Sequence, residues 1–185
     1  MPQAMRIRAS GKAPGPRRPL VIQIAMRARW LGRAVIMGLL LLPQSRLRRA
    51  IGEWGLREVG IGSVARQDFA VIAKFSSDEF EVRPARELGV LLGYEHPVLH
   101  GADAGIKFLH DWFDAWGDFD FTPQEGIDFG DGRVLLLNEL RGRGAASGLS
   151  LRHEEAELWV SKGGLVVSVE QWWSWREALQ ALGVE

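Results

Sequence analysis

The 185-residue chain contains no cysteine and a single tyrosine, and its longest uninterrupted apolar run is the nine residues Ala34–Leu42. The missing cysteine excludes a disulfide framework, a thiolate nucleophile and thiolate metal ligands. It fits a reducing compartment, so the expected location is cytoplasmic. The lone tyrosine, Tyr94, limits phenol chemistry to one loop position. The apolar run is shorter than the roughly 20 residues a bilayer crossing needs. Extending it backwards takes in Arg33, Arg29 and Arg27, each costly in hydrocarbon. Acidic residues are absent from the first fifty positions, which hold eleven of the 23 basic residues. The remaining twelve basic residues face all 23 acidic ones, so a basic arm precedes a body with a balance of −11. Arginine outnumbers lysine, as in GC-rich coding sequences, which points to a bacterial source.

Residues 1–44 read as a basic, partly apolar N-terminal extension. The stretch "ASGKAPGPRRP" has the Pro/Gly-rich, charged composition of a disordered arm. Four readings of the next segment, "LVIQIAMRARWLGRAVIMGLLLLPQS", stand side by side. It is a signal-like segment beginning at Met26, although no small-residue cleavage site follows. It is an amphipathic basic helix at a membrane surface or on a partner. It is sequence upstream of a true start at Met26 or Met37, or it is an extension packed on the domain. No reading module or aromatic platform accompanies the basic residues, so nucleic acid is not an expected partner.

Residues 45–185 read as one domain. Leu47, Ile51 and Trp54 recur at helical spacing, and so do Phe69, Ile72 and Ala73. Helices are therefore expected near 45–58 and 67–75, with a glycine-marked break between them. "SSDEFEVRP" is a short strand that Pro84 ends, and residues 85–101 form a loop or ragged hairpin. "GADAGIKFLHDWFDAW" is the clearest helix, with Asp103 as its expected cap. Strands follow: "DFDFTPQEGIDFG", a "GDG" turn, "RVLLLNELRGRG", "LSLRHEEAELWV", an "SKGG" turn and "LVVSVEQWWSW". "REALQALG" closes as a helix stopped by Gly183. Helices first and an antiparallel meander after them make the fold class α+β.

Three segments carry a resemblance: "VLHGADAGIKFLHDWFDAWGDF", "EGIDFGDGRVLLLNELRGRG" and "AELWVSKGGLVVSVEQWWSWREALQALG". In this order they resemble the SnoaL-like branch of the nuclear transport factor 2-like superfamily. That superfamily also holds ketosteroid isomerases, polyketide cyclases and limonene epoxide hydrolases. The resemblance spans about residues 46–185 and is strongest from Val98 onward. It implies a cone-shaped, curved antiparallel sheet wrapped around about three helices, with an apolar pocket at one end. It also implies a homodimer through the outer face of the sheet. The implied function is a pocket for an apolar or polycyclic small molecule, with cofactor-independent acid/base isomerase, cyclase or hydrolase chemistry. The alternative is a non-catalytic dimerisation or ligand-binding module of the same fold.

The family's chemistry transfers unevenly. Its steroid isomerases use a carboxylate base just before a proline, together with a tyrosine and a protonated acid. Here Arg83 stands before Pro84, and an arginine is no general base at neutral pH. Tyr94 is in a loop, not in the first helix. The Asp–Arg–Asp set of the epoxide hydrolases has no position-by-position match. SnoaL-like cyclases often keep a polar residue two positions before a tryptophan of the penultimate strand, which here is Glu157 before Trp159. Alternation along "RHEEAELWV" puts Glu155 on the same face as Glu157.

Glu157 is thus the candidate base, with Glu155 or Arg83 as its helper. The candidate ligand pocket takes Phe80, Phe108, Trp112, Trp159, Asp128 and His153. Plainer roles compete at each position. The two glutamates can be solvated or form a structural ion pair with Arg83. His153 can sit at a rim, Asp128 can serve the "GDG" turn, His100 can make a structural hydrogen bond, and Trp112 and Trp116 can simply fill the core. Trp172 and Trp173, consecutive on a strand, must face both ways, towards a dimer interface or the final helix. His96, His100, His110 and His153 lack metal-ligand spacing, and "RGRGAASG" has no Lys-Ser/Thr after it to make a phosphate loop. No cofactor and no metal are therefore expected.

Overall fold

The computed structural model describes residues 5–8, 17–43, 45–95 and 97–184. Most of the arm expected to be disordered, and His96, lie outside them. The meander follows the alternation in the sequence. Strands β4 (Trp116–Asp128), β5 (Arg133–Gly144), β6 (Ser150–Lys162) and β7 (Leu165–Trp172) pair antiparallel in turn. The "GDG" turn joins the first two. Gly132, at φ 95°, is required there, because a Cβ would meet the Ser161 carbonyl oxygen at 2.4 Å. β1 (Met5–Arg8) lies antiparallel along β4, and β2 (Ser76–Arg83) runs parallel to β7 with the short β3 (Leu99–His100) on its far side. The parallel pair departs from an all-antiparallel expectation. The sheet order is β1-β4-β5-β6-β7-β2-β3, with register shifts in β4 and between β6 and β7 that bend it into a curved, unclosed wall.

Among the described residues, eight α-helices pack about the wall. α1 (Leu20–Arg27), α2 (Arg29–Leu41) and α3 (Arg46–Gly55) come first, and α3 runs into a π-helical turn at Leu56–Ile61. The chain thus stays helical through the glycine-marked segment where a break was expected, and turns only at residues 66–68. α4 (Gly62–Ala65), α5 (Phe69–Phe75) and α6 (Arg86–Leu91) follow, the last lying in the expected loop. α7 (Ala102–Asp114) fills the inner face of the sheet with Phe108 and Trp112, both essentially inaccessible. Its N-cap is Gly101 rather than Asp103, which falls in the first turn. Gly105 lets α7 sit directly on β2, since a Cβ there would meet Val82 at 2.9 Å and Phe80 at 3.0 Å. α8 (Trp175–Leu182) is capped by Ser174 and stopped by Gly183, and covers the opposite face of the sheet.

The sheet is thus buried on both sides. Phe80, Val82, Leu99, Phe108, Trp112, Phe121, Leu140 and Val169 make the inner core. Ile127, Leu135, Leu137, Ala156 and Leu158 pack outward under Ala178, Leu179 and Leu182 of α8. The tryptophans divide between the layers: Trp172 and Trp175 join the outer cluster, and Trp173 turns inward against the His153 ring. The N-terminal helices dock on α5, where Ile22 closes over Val71 and Phe75. Among the described residues no helix is long and apolar enough to cross a membrane.

Candidate functional site

Between α7 and the inner face of β6 and β7 lies a cavity. α7 supplies Gly105, Phe108, Leu109 and Trp112, the sheet supplies Phe80 and Val82 of β2, Glu157 and Trp159 of β6 and Val169 and Gln171 of β7, and Val64 and Ile72 complete the lining. The unfilled space totals about 450 Å³ counted out to the open mouth, but only about 30 Å³ of it admits the centre of a water-sized sphere. A single water needs about 10–15 Å³ by that measure. As it stands the cavity has room for a small group, and a polycyclic guest would have to displace aromatic side chains.

The polar part of the wall is one register pair. Glu157 of β6 stands opposite Gln171 of β7, and both are buried. Gln171 Nε2 donates to Glu157 Oε1 at 3.0 Å, and Trp159 Nε1 donates to Oε2 at 3.0 Å. Burial pushes the Glu157 pKa up, and these two hydrogen bonds pull part of that shift back. Gln171 Oε1, in contrast, has no hydrogen-bond partner.

One step along β6, Glu155 faces the same way and is wholly inaccessible. Its register partner on β5 is Asn138, equally inaccessible. Neither side chain has a partner for any of its polar atoms. Burial, and then the nearby Glu157 charge, push the Glu155 pKa well above its ordinary value. Glu155 does not line the cavity; it is the next inward side chain beyond it.

Glu157, Trp159, Phe80, Phe108 and Trp112 therefore meet around one cavity, and four candidates, Glu155, Arg83, Asp128 and His153, stand elsewhere. Arg83 is half exposed at the end of β2, where it pairs with Glu81 and not with either glutamate. A charged guanidinium at that strand end gains more from water and Glu81 than from an apolar interior. Asp128 is on the inner face of the sheet but is consumed by structure. Its carboxylate takes Arg48 Nε at 2.8 Å and Nη2 at 3.0 Å, and accepts Gly130 N–H at 2.8 Å. His153 lies past Glu155, packed against Trp173 with ring centroids 3.9 Å apart and planes tilted by 34°, and burial holds its pKa down. Tyr94 donates to Asp111 on α7. His100 is exposed and contacts Glu81 at 3.3 Å. Among the described residues no cluster of His, Asp or Glu is arranged to hold a metal ion.

Gln171, Asn138, Val169 and Gly105 were not among the expected site residues. Gln171 was not directly findable: the register set by the "SKGG" turn would put Glu170 opposite Glu157, and the irregularity between Val160 and Ser161 brings Gln171 there instead. Asn138 required the β5–β6 register, which the loop at residues 145–149 leaves free in sequence.

The chain matches no family profile and no curated protein. Solved structures match its fold. A candidate SnoaL-like polyketide cyclase from Jannaschia sp. CCS1 superposes with a TM-score of 0.57 at 14% identity, covering 78% of this chain and 99% of that one. The chain has the nuclear transport factor 2-like fold. A protein of that fold and unknown function from Burkholderia pseudomallei K96243 gives a TM-score of 0.53 at 18% identity, over 64% of this chain and 88% of its own. A Mycobacterium tuberculosis protein solved with estradiol-17β-hemisuccinate gives 0.50 at 13%, over 62% and 88%. At these identities the likeness carries the nuclear transport factor 2-like fold alone. Its curved sheet and inner helix account for the position of the cavity.

Proposed function

We propose that the chain is a small-molecule pocket protein that takes a compact apolar guest between α7 and the β6–β7 wall, with Glu157 as its acid/base group. One observation carries this reading: Glu157 is a buried carboxyl on the wall of an aromatic-lined cavity, oriented by Gln171 and Trp159. A group held in this way has its pKa moved towards the range useful for proton transfer near neutrality. It can take a proton from a carbon acid or give one to a carbonyl without a cofactor, which suits isomerase, cyclase or hydrolase chemistry. The Mycobacterium tuberculosis protein of this fold, solved with a steroid hemisuccinate, supports small-molecule binding as the reading.

A second reading, a non-catalytic module, is favoured by the tightness of the cavity and by the engagement of both Glu157 oxygens. A homodimer would have to avoid the part of the outer sheet that α8 already covers. The test has two steps. Toluene should raise the melting temperature by mass action. On any substrate then found, Glu157→Gln should lower turnover by about 10²–10⁴-fold while preserving folding. Full turnover in Glu157→Gln overturns Glu157 as the acid/base group, whereas toluene binding without turnover of any substrate leaves the non-catalytic module.

A further inference from the structure

Glu155, Asn138 and Gln171 are more than nine-tenths buried, and they leave unpaired both Glu155 oxygens, the Asn138 carboxamide and Gln171 Oε1. Buried polar groups in folded proteins are nearly always hydrogen-bonded, so each exception asks for a cause. These exceptions are contiguous. Asn138 is opposite Glu155, Gln171 is opposite Glu157, and the two pairs are one step apart on the same face of β6. Gln171 and Glu157 open into the cavity. The cluster is unbalanced in kind as well. Four oxygens are free against two nitrogens, Asn138 Nδ2 and, one place farther along the same face of β6, His153 Nε2. Two carboxyls share the face, and neither has a cationic partner among the described residues, since Arg48 is spent on Asp128 and Arg83 on Glu81. A guest that satisfies this site must bring N–H donors, and a basic one can take up the Glu155 proton.

We propose that Glu155, Asn138 and Gln171, with Glu157 beside them, form the seat for a primary or secondary amine carried on an apolar body. The inference rests on the pocket reading and names its ligand class. The amine's N–H groups would go to Glu155, Asn138 Oδ1 and Gln171 Oε1, and its apolar part would lie among Phe80, Phe108 and Trp112. Aromatic faces add attraction for a cation where water is excluded. Burial raises the Glu155 pKa well above its ordinary value and so favours its neutral acid form while the seat is empty. An amine arriving uncharged takes the Glu155 proton: the O–H bond breaks, an N–H bond forms, and an ammonium–carboxylate pair results. One arriving as ammonium displaces that proton to solvent. Reaching Glu155 requires a side-chain shift, because the cavity stops at Glu157.

Benzylamine, benzyl alcohol and toluene share a ring and differ in the polar end, so their binding to the full chain, measured by calorimetry, separates the possibilities. Benzylamine is expected to bind at least about tenfold more tightly than benzyl alcohol, as a charge-assisted hydrogen bond to a buried partner implies. Glu155→Gln is expected to bring the two within about twofold of each other while leaving toluene unchanged. Asn138→Leu, which keeps the strand and removes one acceptor, should weaken benzylamine alone and serves if the first variant fails to fold. Equal affinity for amine and alcohol overturns the proposal, as does an amine preference that survives both variants. Toluene binding with no response to either polar compound means that the cluster is filled by water, and also overturns it. If toluene does not bind either, the pocket reading falls with it.

Discussion

Glu155 is a buried acid without a partner, so its protonation is coupled to folding. Its pKa in the folded chain lies above the ordinary value of 4.5. The folded state therefore holds the proton more tightly than the unfolded one. The stability this confers is complete below the unfolded pKa and is lost as pH rises through the folded one. Glu157 is shifted the same way by burial and adds to the slope. The urea midpoint of the chain should accordingly fall as pH rises above about 4.5, and Glu155→Gln should flatten the fall. Glu155→Leu should raise stability at neutral pH by about 1–3 kcal/mol, because it replaces a carboxyl that has no partner. A midpoint that ignores pH in the unsubstituted chain would mean that Glu155 finds a hydrogen-bonding partner in solution. The sequence made this half legible. Strand alternation in "RHEEAELWV" aligned Glu155 with Glu157 from the outset. The Trp159 register also pointed to this face as the working one, but that Glu155 lies beyond the cavity and stands opposite Asn138 stayed hidden, because it depends on the β5–β6 register.

At the scale of elements, α3 is tied to the β4–β5 hairpin by the Arg48–Asp128 pair, whose side chains are both under a tenth exposed. Arg48 Nη1 also donates to the Leu42 carbonyl at 2.7 Å, so one guanidinium joins the helix, its leading loop and the turn. Removing one member strands the other as a buried charge. Arg48→Met should therefore cost about 3–5 kcal/mol, and Arg48→Met with Asp128→Asn should recover most of it, since the amide keeps a group that can accept from Gly130 N–H without a charge. A double-mutant cycle on urea unfolding measures the coupling, and additive losses would mean that the pair does not act as a clamp. The hairpin end of this arrangement was readable, because Asp before "GDG" is turn chemistry. The helix end was not. In "RLRRA" three arginines within four positions look like a solvated face, and nothing local distinguishes the one whose partner is eighty residues away.

For the whole molecule, the charge imbalance becomes an assembly rule. Arg6 meets Glu125, Arg18 meets Asp68 and Arg48 meets Asp128, so the basic first fifty residues are attached to the acidic body by ion pairs that cross the boundary. Apolar contact reinforces them, because Ile22 of α1 covers Val71 and Phe75 of α5. Arg29 Nη2 donates to the Ser76 carbonyl where β2 begins, and Arg33 donates to the Gly163 carbonyl at the β6–β7 turn. Composition alone treats such a segment as an arm, since its own apolar run is short and its charges are all of one sign. Its partners lie far along the chain, and only the tertiary fold reveals them. A chain begun at Met37 would lose α1 and most of α2, and would expose Val71 and Phe75. At about 1.5–3 kcal/mol for each large apolar side chain returned to water, it should be less stable by about 3 kcal/mol or more. Urea unfolding of the two chains side by side decides the matter. Equal midpoints would make residues 1–36 an appendage that the domain does not need. A lowered midpoint would make the N-terminal helices a structural layer, present so that α5, and through it the α5–β2 junction beside the cavity, stays in place.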